Sequence, residues 1–170
     1  MKTFLLGFLL FAAVASKAQE TYRLQIGVTS SHVKHLEADL PDGLGYFVGA
    51  GTSKPINEIA KIDADVIFLN QSTTVSENKF SINSVNAGFG FRIYPLKKGL
   101  FTVLGMRMGL IVSSKSEGES FDYETANAMA FAGAGYEVNR IELFGKFNYV
   151  ISDGLFQNMI QIGAAYRISK

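Results

Sequence analysis

The sequence predicts an all-β fold, an eight-stranded antiparallel up-and-down transmembrane β-barrel. Apolar and polar residues alternate with a period of two along most of the chain, which is typical of strands with two unlike faces. Glycine recurs inside the alternating segments, which disfavours helices. Hydrophobic residues make up 48% of the 170 residues, yet no run of 18 or more apolar residues could form a spanning helix.

Eight segments carry the alternation, and polar turns or loops separate them. Each is long enough for a tilted membrane-spanning strand, which needs about 9–11 residues. The predicted strands are Tyr22 to Ser30, Leu44 to Ser53, Glu58 to Gln71, Phe80 to Tyr94, Leu100 to Val112, Ala126 to Val138, Arg140 to Ile151 and Leu155 to Ser169.

The first two segments differ in how clearly they alternate. In the first, the even-numbered residues from Tyr22 to Val28 are apolar, and Arg23 begins the opposite, polar face. The second segment is rich in glycine, so the sequence leaves open which of its residues share a face. The residues 54–57 that follow it predict a turn.

The third and fourth segments each have one strongly polar face. In the third, Lys61, Asp63 and Asp65 alternate with apolar residues, and in the fourth Arg92 continues a face of asparagine and glycine. The polar stretch 72–79 between them predicts a loop.

The last four segments follow the same rule with one exception. Arg107 in the fifth, Glu142 and Lys146 in the seventh and Arg167 in the eighth each lie opposite an apolar face. The sixth segment has small residues on both faces, so its phase stays open.

The connections alternate in length. Those after the first, third and fifth segments are long and polar, whereas those after the second, fourth and sixth are short. The connection at 152–154 is short and departs from this trend. Membrane barrels of bacteria have short turns on the periplasmic side and longer loops outside. We therefore expect the loops 31–43 and 113–125 to lie outside, where they are the candidate sites for a protein partner.

The charged residues indicate which face points inward. An Arg or Lys that faces lipid near the membrane centre costs about 2–4 kcal/mol, and an eight-stranded barrel is narrow enough to be filled by side chains. We therefore expect a mutually paired ionic network in the lumen. Its members are Lys61, Asp63, Asp65, Arg92, Arg107, Glu142, Lys146 and Arg167.

Aromatic residues fall near both ends of the predicted strands. Aromatic girdles mark the two membrane–water interfaces of such barrels. The residues predicted for one girdle are Tyr22, Phe91, Tyr136 and Tyr166, and those for the other are Tyr46, Phe68, Tyr149 and Phe156.

The N-terminus has the pattern of a secretory signal peptide. Lys2 precedes an apolar run of about twelve residues that ends in Ser16-Lys17-Ala18. Cleavage after Ala18 divides the chain into a signal peptide, 1–18, and a barrel domain, 19–170. The mature part then has one more acidic than basic residue, which gives no reason to expect nucleic-acid binding.

Three stretches carry a resemblance to a known family. They are Gly88-Phe89-Gly90-Phe91-Arg92-Ile93-Tyr94-Pro95, Ala132-Gly133-Ala134-Gly135-Tyr136 and Gly163-Ala164-Ala165-Tyr166-Arg167-Ile168. Together with the signal sequence, the eight strands and the absence of cysteine, they resemble the porin-like outer-membrane β-barrel domain family of Gram-negative bacteria. The resemblance implies an outer-membrane location in contact with lipid, but no substrate.

Few residues suggest chemistry. His32 and His35 in the first long loop could bind a metal, or His32 could pair with Ser30 or Ser72 in a lipid-modifying enzyme. We expect a solvated loop instead, because no second histidine cluster completes a site.

The second long loop is acidic, with Glu117, Glu119, Asp122 and Glu124. Its spacing does not match a Ca²⁺-binding loop, because Asp122 occupies the position that requires glycine. We again expect a solvated loop, and the sequence predicts no metal and no cofactor.

The sequence therefore predicts a non-enzymatic outer-membrane barrel with a structural or interaction role. Three alternatives stay open: a narrow pore for small solutes, a lipid-modifying enzyme, and a soluble lipocalin-like barrel. The last would place the charged face outside and the apolar face inside.

Overall fold

The computed structural model describes residues 21–35, 38–39, 43–75, 78–96, 99–116, 119–121, 126–151 and 156–168. Within these ranges the side chains of residues 32–35, 38–39, 75, 78–80, 116, 119–121 and 156–157 lie outside the description. The strands are β1 (Thr21–His35), β2 (Ala38–Asp39), β3 (Gly43–Pro55), β4 (Ala60–Val75), β5 (Asn78–Ile93), β6 (Leu100–Ser116), β7 (Glu119–Phe121), β8 (Ala126–Val138), β9 (Ile141–Val150) and β10 (Phe156–Ile168).

Eight long strands close into an antiparallel up-and-down barrel, as the sequence predicted. Each pairs with the next long strand, and β10 pairs with β1 from Tyr22 opposite Ile168 to Val33 opposite Phe156. The short strands β2 and β7 only extend the ends of β1 and β6. In the described part of the chain, no helix is long and apolar enough to cross a membrane.

The two ends of the barrel differ in their connections. At one end short turns join β3 to β4, β5 to β6 and β8 to β9, and Thr21 and Ile168 also lie there. Asn139, in the last of these turns, has a φ of 54°, which asparagine adopts more readily than most residues. We call this the turn end and the opposite one the loop end.

Several strands extend further than predicted at the loop end. The predicted loop 72–79 is largely strand, with Thr74 paired to Lys79, and the predicted loop 113–125 contains the ends of β6 and β7. The strand β1 likewise continues into the predicted loop 31–43. The prediction failed there because both faces of these extensions are polar, so the alternation that marks a half-buried strand disappears.

The outer wall is apolar and the inner wall carries the charges. Leu24 and Ile26 are 55% and 64% exposed, whereas Arg23 and Gln25, which alternate with them, are 3% and 5% exposed. The same alternation continues around the wall, with Leu104, Met106 and other large apolar side chains outside. This is the reverse of a lipocalin-like soluble barrel, which buries its apolar face.

Glycines make room for large side chains in the narrow lumen. A Cβ at Gly163 would lie 2.6 Å from Cζ of Phe47, and one at Gly105 would lie 2.7 Å from Cζ of Phe131. Phe47 and Phe131 are both buried, so they fix the phases that the sequence left open in β3 and β8. Alternating small and large inward residues is the usual way to fill a small barrel.

The interior is not purely polar. A cluster of buried apolar side chains shares the lumen with the charged residues, and Phe47 packs against Phe144 with ring centroids 6.1 Å apart. The members of this apolar cluster are Phe47, Ile67, Leu69, Tyr94, Phe101, Met129, Phe144, Val150, Met159 and Ala165. The charged and polar side chains expected in the lumen therefore share it with apolar ones.

Candidate functional site in the barrel lumen

Asp63 is the first of three carboxylates on which the buried charges converge. Its Oδ2 accepts hydrogen bonds from Arg23 Nη1 at 3.0 Å and from Arg92 Nε at 2.8 Å. Its Oδ1 accepts a hydrogen bond from the hydroxyl of Ser53. The three partners come from β1, β5 and β3, so one carboxylate on β4 joins four strands.

Glu142, on β9, binds the same two arginines from the opposite wall. Its Oε2 lies 2.9 Å from Arg92 Nη1 and 3.4 Å from Arg23 Nη1. The Arg92 guanidinium also lies over the ring of Phe101, with its central carbon 4.1 Å from the ring centroid. Arg23, Asp63, Arg92 and Glu142 thus form a two-plus-two arrangement across the lumen, which we call the turn-half cluster.

Asp65 organises a second group nearer the middle of the barrel. Both of its carboxylate oxygens accept hydrogen bonds of 3.1 Å from Arg107 Nη2, and Lys146 Nζ lies 3.4 Å from Oδ2. The other terminal nitrogen of Arg107 donates to Gln161 at 2.9 Å and to Asn148 at 3.3 Å. Asp65, Arg107 and Lys146 are the central cluster.

Aromatic rings pack beside the two cations of the central cluster. Lys146 Nζ lies 5.1 Å from the ring centroid of Phe131 and 5.0 Å from that of Phe144. The Arg107 guanidinium lies 5.2 Å from the Phe131 centroid. These ring faces favour cations and occupy space that water would otherwise fill.

A third group lies at the turn end of the lumen and is partly open to solvent. Glu137 pairs with Arg167 and, at 4.0 Å, with Lys61. The hydroxyl of Tyr94 donates to Glu137 at 2.8 Å. Burial raises the pKa of Tyr94 above its usual value, so the hydroxyl stays a donor. Lys61, Glu137 and Arg167 form the rim cluster.

The eight residues predicted for the ionic network all lie on the lumen side of the wall. Six of them are fully buried, while Lys61 and Arg167 have side chains 25% and 21% exposed. Sequence reasoning left out two members, Arg23 and Glu137. Arg23 carried a usable signal, because it alternates with Tyr22 and Leu24, whereas Glu137 belongs to the strand whose phase the sequence left open.

The predicted girdle aromatics lie on the outer wall where the structure describes them. Six tyrosines and phenylalanines among them are between 47% and 57% exposed: Tyr22, Tyr46, Phe91, Tyr136, Tyr149 and Tyr166. Phe68 also faces outward but is half-buried between neighbouring strands. The side chain of Phe156 lies outside the described residues.

The candidate metal and enzyme residues are largely outside the description. This applies to the side chains of His32 and His35 and to the acidic residues Glu117, Glu119, Asp122 and Glu124. Among the residues that are described, no three His, Cys, Asp or Glu side chains come together in a metal-binding arrangement.

The network spans the lumen. Side chains from five of the eight wall strands meet in the turn-half and central clusters, and aromatic rings pack beside them. A cation or anion that crossed the barrel would have to displace ion pairs of 2.8–3.4 Å. Buried pairs of this kind are costly to break, because each leaves an uncompensated charge away from water.

Solved structures of other proteins resemble the chain along nearly its whole length. Ail, the attachment invasion locus protein of Yersinia pestis, solved in complex with the heparin analogue sucrose octasulfate, has a TM-score of 0.61 at 16% identity and covers 89% of this chain and 100% of its own. The Neisserial surface protein A, NspA, has a TM-score of 0.60 at 14% identity, over 90% of this chain and 98% of its own.

The outer membrane protein OprG from Pseudomonas aeruginosa has a TM-score of 0.54 at 10% identity and covers 91% of this chain and 98% of its own. Neither a protein-family model nor a curated relative matches the sequence. At these identities the likeness concerns the fold. The chain thus has the fold of the small outer-membrane β-barrels of Gram-negative bacteria.

Proposed function

We propose that the chain is a closed outer-membrane barrel with a structural or interaction role, and that it conducts no ions. One observation carries the proposal: the lumen is closed by paired charges, while the outer wall exposes apolar side chains. An apolar outer wall belongs in lipid, and an ion that crossed the two buried clusters would have to break their ion pairs.

Planar-bilayer recording tests the closed lumen. We expect the purified protein to insert without producing conductance steps. The matched control removes one charge of each sign from the turn-half cluster, Asp63→Ser with Arg92→Ser, so that smaller side chains leave a path and steps appear. Steps in the unmodified protein would support the alternative of a narrow pore and contradict the proposal.

The proposed location follows from the signal peptide and the apolar wall. We expect export, cleavage after Ala18 and a mature chain that begins at Gln19 in the outer membrane, with the turn end in the periplasm. Cell fractionation and N-terminal sequencing of the mature protein test this. A chain found in the periplasm as a soluble protein would contradict it.

The interaction role is assigned to the loops 31–43 and 113–125, because long polar loops of such barrels face the outside. Cross-linking and pull-down with the intact protein, compared with variants in which either loop is shortened, test that role. Loss of a captured partner in one loop variant is the expected result. Equal capture by both variants and the intact chain contradicts the assignment.

The enzymatic alternative rests on His32 and His35. Replacing both with alanine and comparing the lipid A composition of cells that express either form tests it. We expect identical lipid A, since a non-enzymatic barrel needs neither imidazole. A modification that only the unmodified chain produces would make the protein an enzyme.

A further inference from the structure

Arg140 and Arg167 are neighbours at the turn end but serve opposite sides of the wall. The backbone N–H of Arg167 donates to the carbonyl of Arg140 at 2.8 Å, and the side chain of Arg167 pairs with Glu137 at the rim of the lumen. Arg140 is exposed, and its Nη1 donates a hydrogen bond to the hydroxyl of Tyr166 at 3.4 Å. Tyr166 is 48% exposed on the outer wall, so the Arg140 guanidinium lies outside the barrel.

The pair of Arg140 and Tyr166 presents several donors to one place. The hydroxyl oxygen of Tyr166 accepts the bond from Arg140, so its own hydrogen is left to donate to a further acceptor. The guanidinium carries further N–H donors in the same plane, and no described carboxylate forms an ion pair with it. Guanidinium and hydroxyl donors side by side are suited to the oxygens of a phosphate.

An apolar surface adjoins this pair on the side toward the loop end. The next outward residue of β10 is Ala164, which lies opposite Ile26 on β1 and Leu143 on β9. Ile26 and Leu143 are 64% and 59% exposed, so both side chains project from the wall. The methyl group of Ala164 is much shorter than either neighbour. The wall therefore has a shallow depression directly beyond Tyr166, with large apolar side chains on both sides.

The turn end as a whole is basic. Outside the buried clusters, its described ionisable side chains are the cations Lys54, Lys61, Arg140 and Arg167 and the carboxylates Glu58 and Glu137. Positive charges are thus in excess there. Basic groups beside a membrane surface attract anionic lipids in preference to zwitterionic ones.

We propose that Arg140 and Tyr166 bind the phosphate of an anionic phospholipid of the phosphatidylglycerol type, with one acyl chain in the depression over Ala164. The proposal rests on the membrane location proposed above. A phospholipid matches the site because its phosphodiester lies at the end of its apolar chains, in the same order as the donors and the depression along the wall. A soluble phosphate would match the donors alone.

Native mass spectrometry of the mature protein tests the site. The barrel is inserted into nanodiscs that contain phosphatidylcholine and phosphatidylglycerol in equal amounts, and the lipids that stay bound after release are identified by mass. We expect phosphatidylglycerol to be retained in preference. Arg140→Gln should lower the retained ratio about fivefold, the order expected for one arginine at an anionic lipid surface. Tyr166→Phe keeps the ring, removes one donor and should lower the ratio about threefold.

Lys115→Gln is the matched control. It removes one exposed positive charge from β6 at the loop end and should leave the ratio unchanged. An equal loss in Lys115→Gln and Arg140→Gln would show attraction to net charge rather than a site and would overturn the proposal, as would an unchanged ratio in Arg140→Gln. A protein that does not enter nanodiscs would contradict the membrane location itself, and the lipid site with it.

Nitrogen-15 NMR of the arginine side chains locates the phosphate. We expect the Nε–H resonance of Arg140 to shift as phosphatidylglycerol replaces phosphatidylcholine in the nanodisc, because the headgroup then binds beside it. The resonance of Arg107, which is buried in the central cluster, should stay in place. An Arg140 resonance that is insensitive to the lipid, or that shifts no more than that of Arg107, overturns the proposal.

Discussion

In the turn half of the lumen each described carboxylate contacts at least two cations, whereas in the loop half several buried neutral side chains have a polar atom without a protein partner. Asp63 and Glu142 both bind Arg23 and Arg92. At the other end, the side chains of Thr29, Ser31, Gln71 and Asn127 each have at least one buried polar atom without a partner in the protein.

The difference shows two ways of keeping polar groups inside a barrel. Ionised groups lose so much solvation that they are tolerated only when other charges bind them. Neutral amides and hydroxyls lose less solvation, and a hydrogen bond from a bound water can replace it. We therefore expect the turn half to be dry and rigid and the loop half to hold ordered water.

The largest effect is expected when the ion pairs of the central cluster are broken. Asp65→Asn keeps the shape of the side chain but leaves Arg107 and Lys146 without their carboxylate, so the free energy of unfolding should fall by about 3–5 kcal/mol. Urea unfolding in detergent measures it. A loss below about 1 kcal/mol would show that the central cluster is hydrated rather than dry.

The next effect compares a charge on the apolar outer wall with a charge on the polar extension of β4. Met106→Arg places a charge on the apolar wall and should cost about 2–4 kcal/mol in a lipid bilayer, whereas Thr74→Arg, on the polar extension of β4, should cost about 0–1 kcal/mol. Folding equilibria in phospholipid vesicles measure both. Equal costs would place the two residues at the same depth in the membrane and would contradict the assignment of Thr74 to a polar extension outside it.

In the loop half, a substitution is expected to leave the free energy of unfolding unchanged or to raise it. Thr29→Val replaces a buried hydroxyl that has no protein partner with a methyl group of the same shape. Removing an unsatisfied group is neutral or stabilising, so the unfolding free energy should change by 0 to about +1 kcal/mol. A clear loss of stability in urea unfolding would reveal a strong bond from Thr29 to water.

The smallest effect is expected at the rim. Lys61→Met removes a partly exposed cation that lies 4.0 Å from Glu137, which Arg167 also binds. Exposed pairs contribute about 0–1 kcal/mol and are screened by salt. The difference between the variant and the unmodified chain should therefore shrink as salt is added, which urea unfolding at two ionic strengths measures.

Sequence reasoning predicted the wall better than the ends of the strands. Alternation located all eight long strands, because one face meets an apolar environment and the other the lumen. It stopped working beyond Gln71, where Ser72, Thr73 and Thr74 are polar on both faces of β4.

The sequence predicted which charged side chains face the lumen, but it did not predict which of them pair with each other. An ionisable residue opposite an apolar face is expected to point into the lumen, as Arg92 and Arg107 do. Which carboxylate it meets depends on the strand register and on the tilt of the barrel, neither of which appears in a single segment. The pairing of Arg23 with Glu142, 119 residues away, is of this kind.

That long-range pairing bears on how the molecule assembles. Arg23 belongs to the first strand and Glu142 to the ninth, so their charges meet only once the ends of the chain have come together. In a partly formed sheet, Arg23 would lack its Glu142 partner and would enter the bilayer as an unpaired charge. Insertion is thus favourable for the closed barrel and unfavourable for a partly paired sheet. Assembly in the membrane should therefore be close to all-or-none.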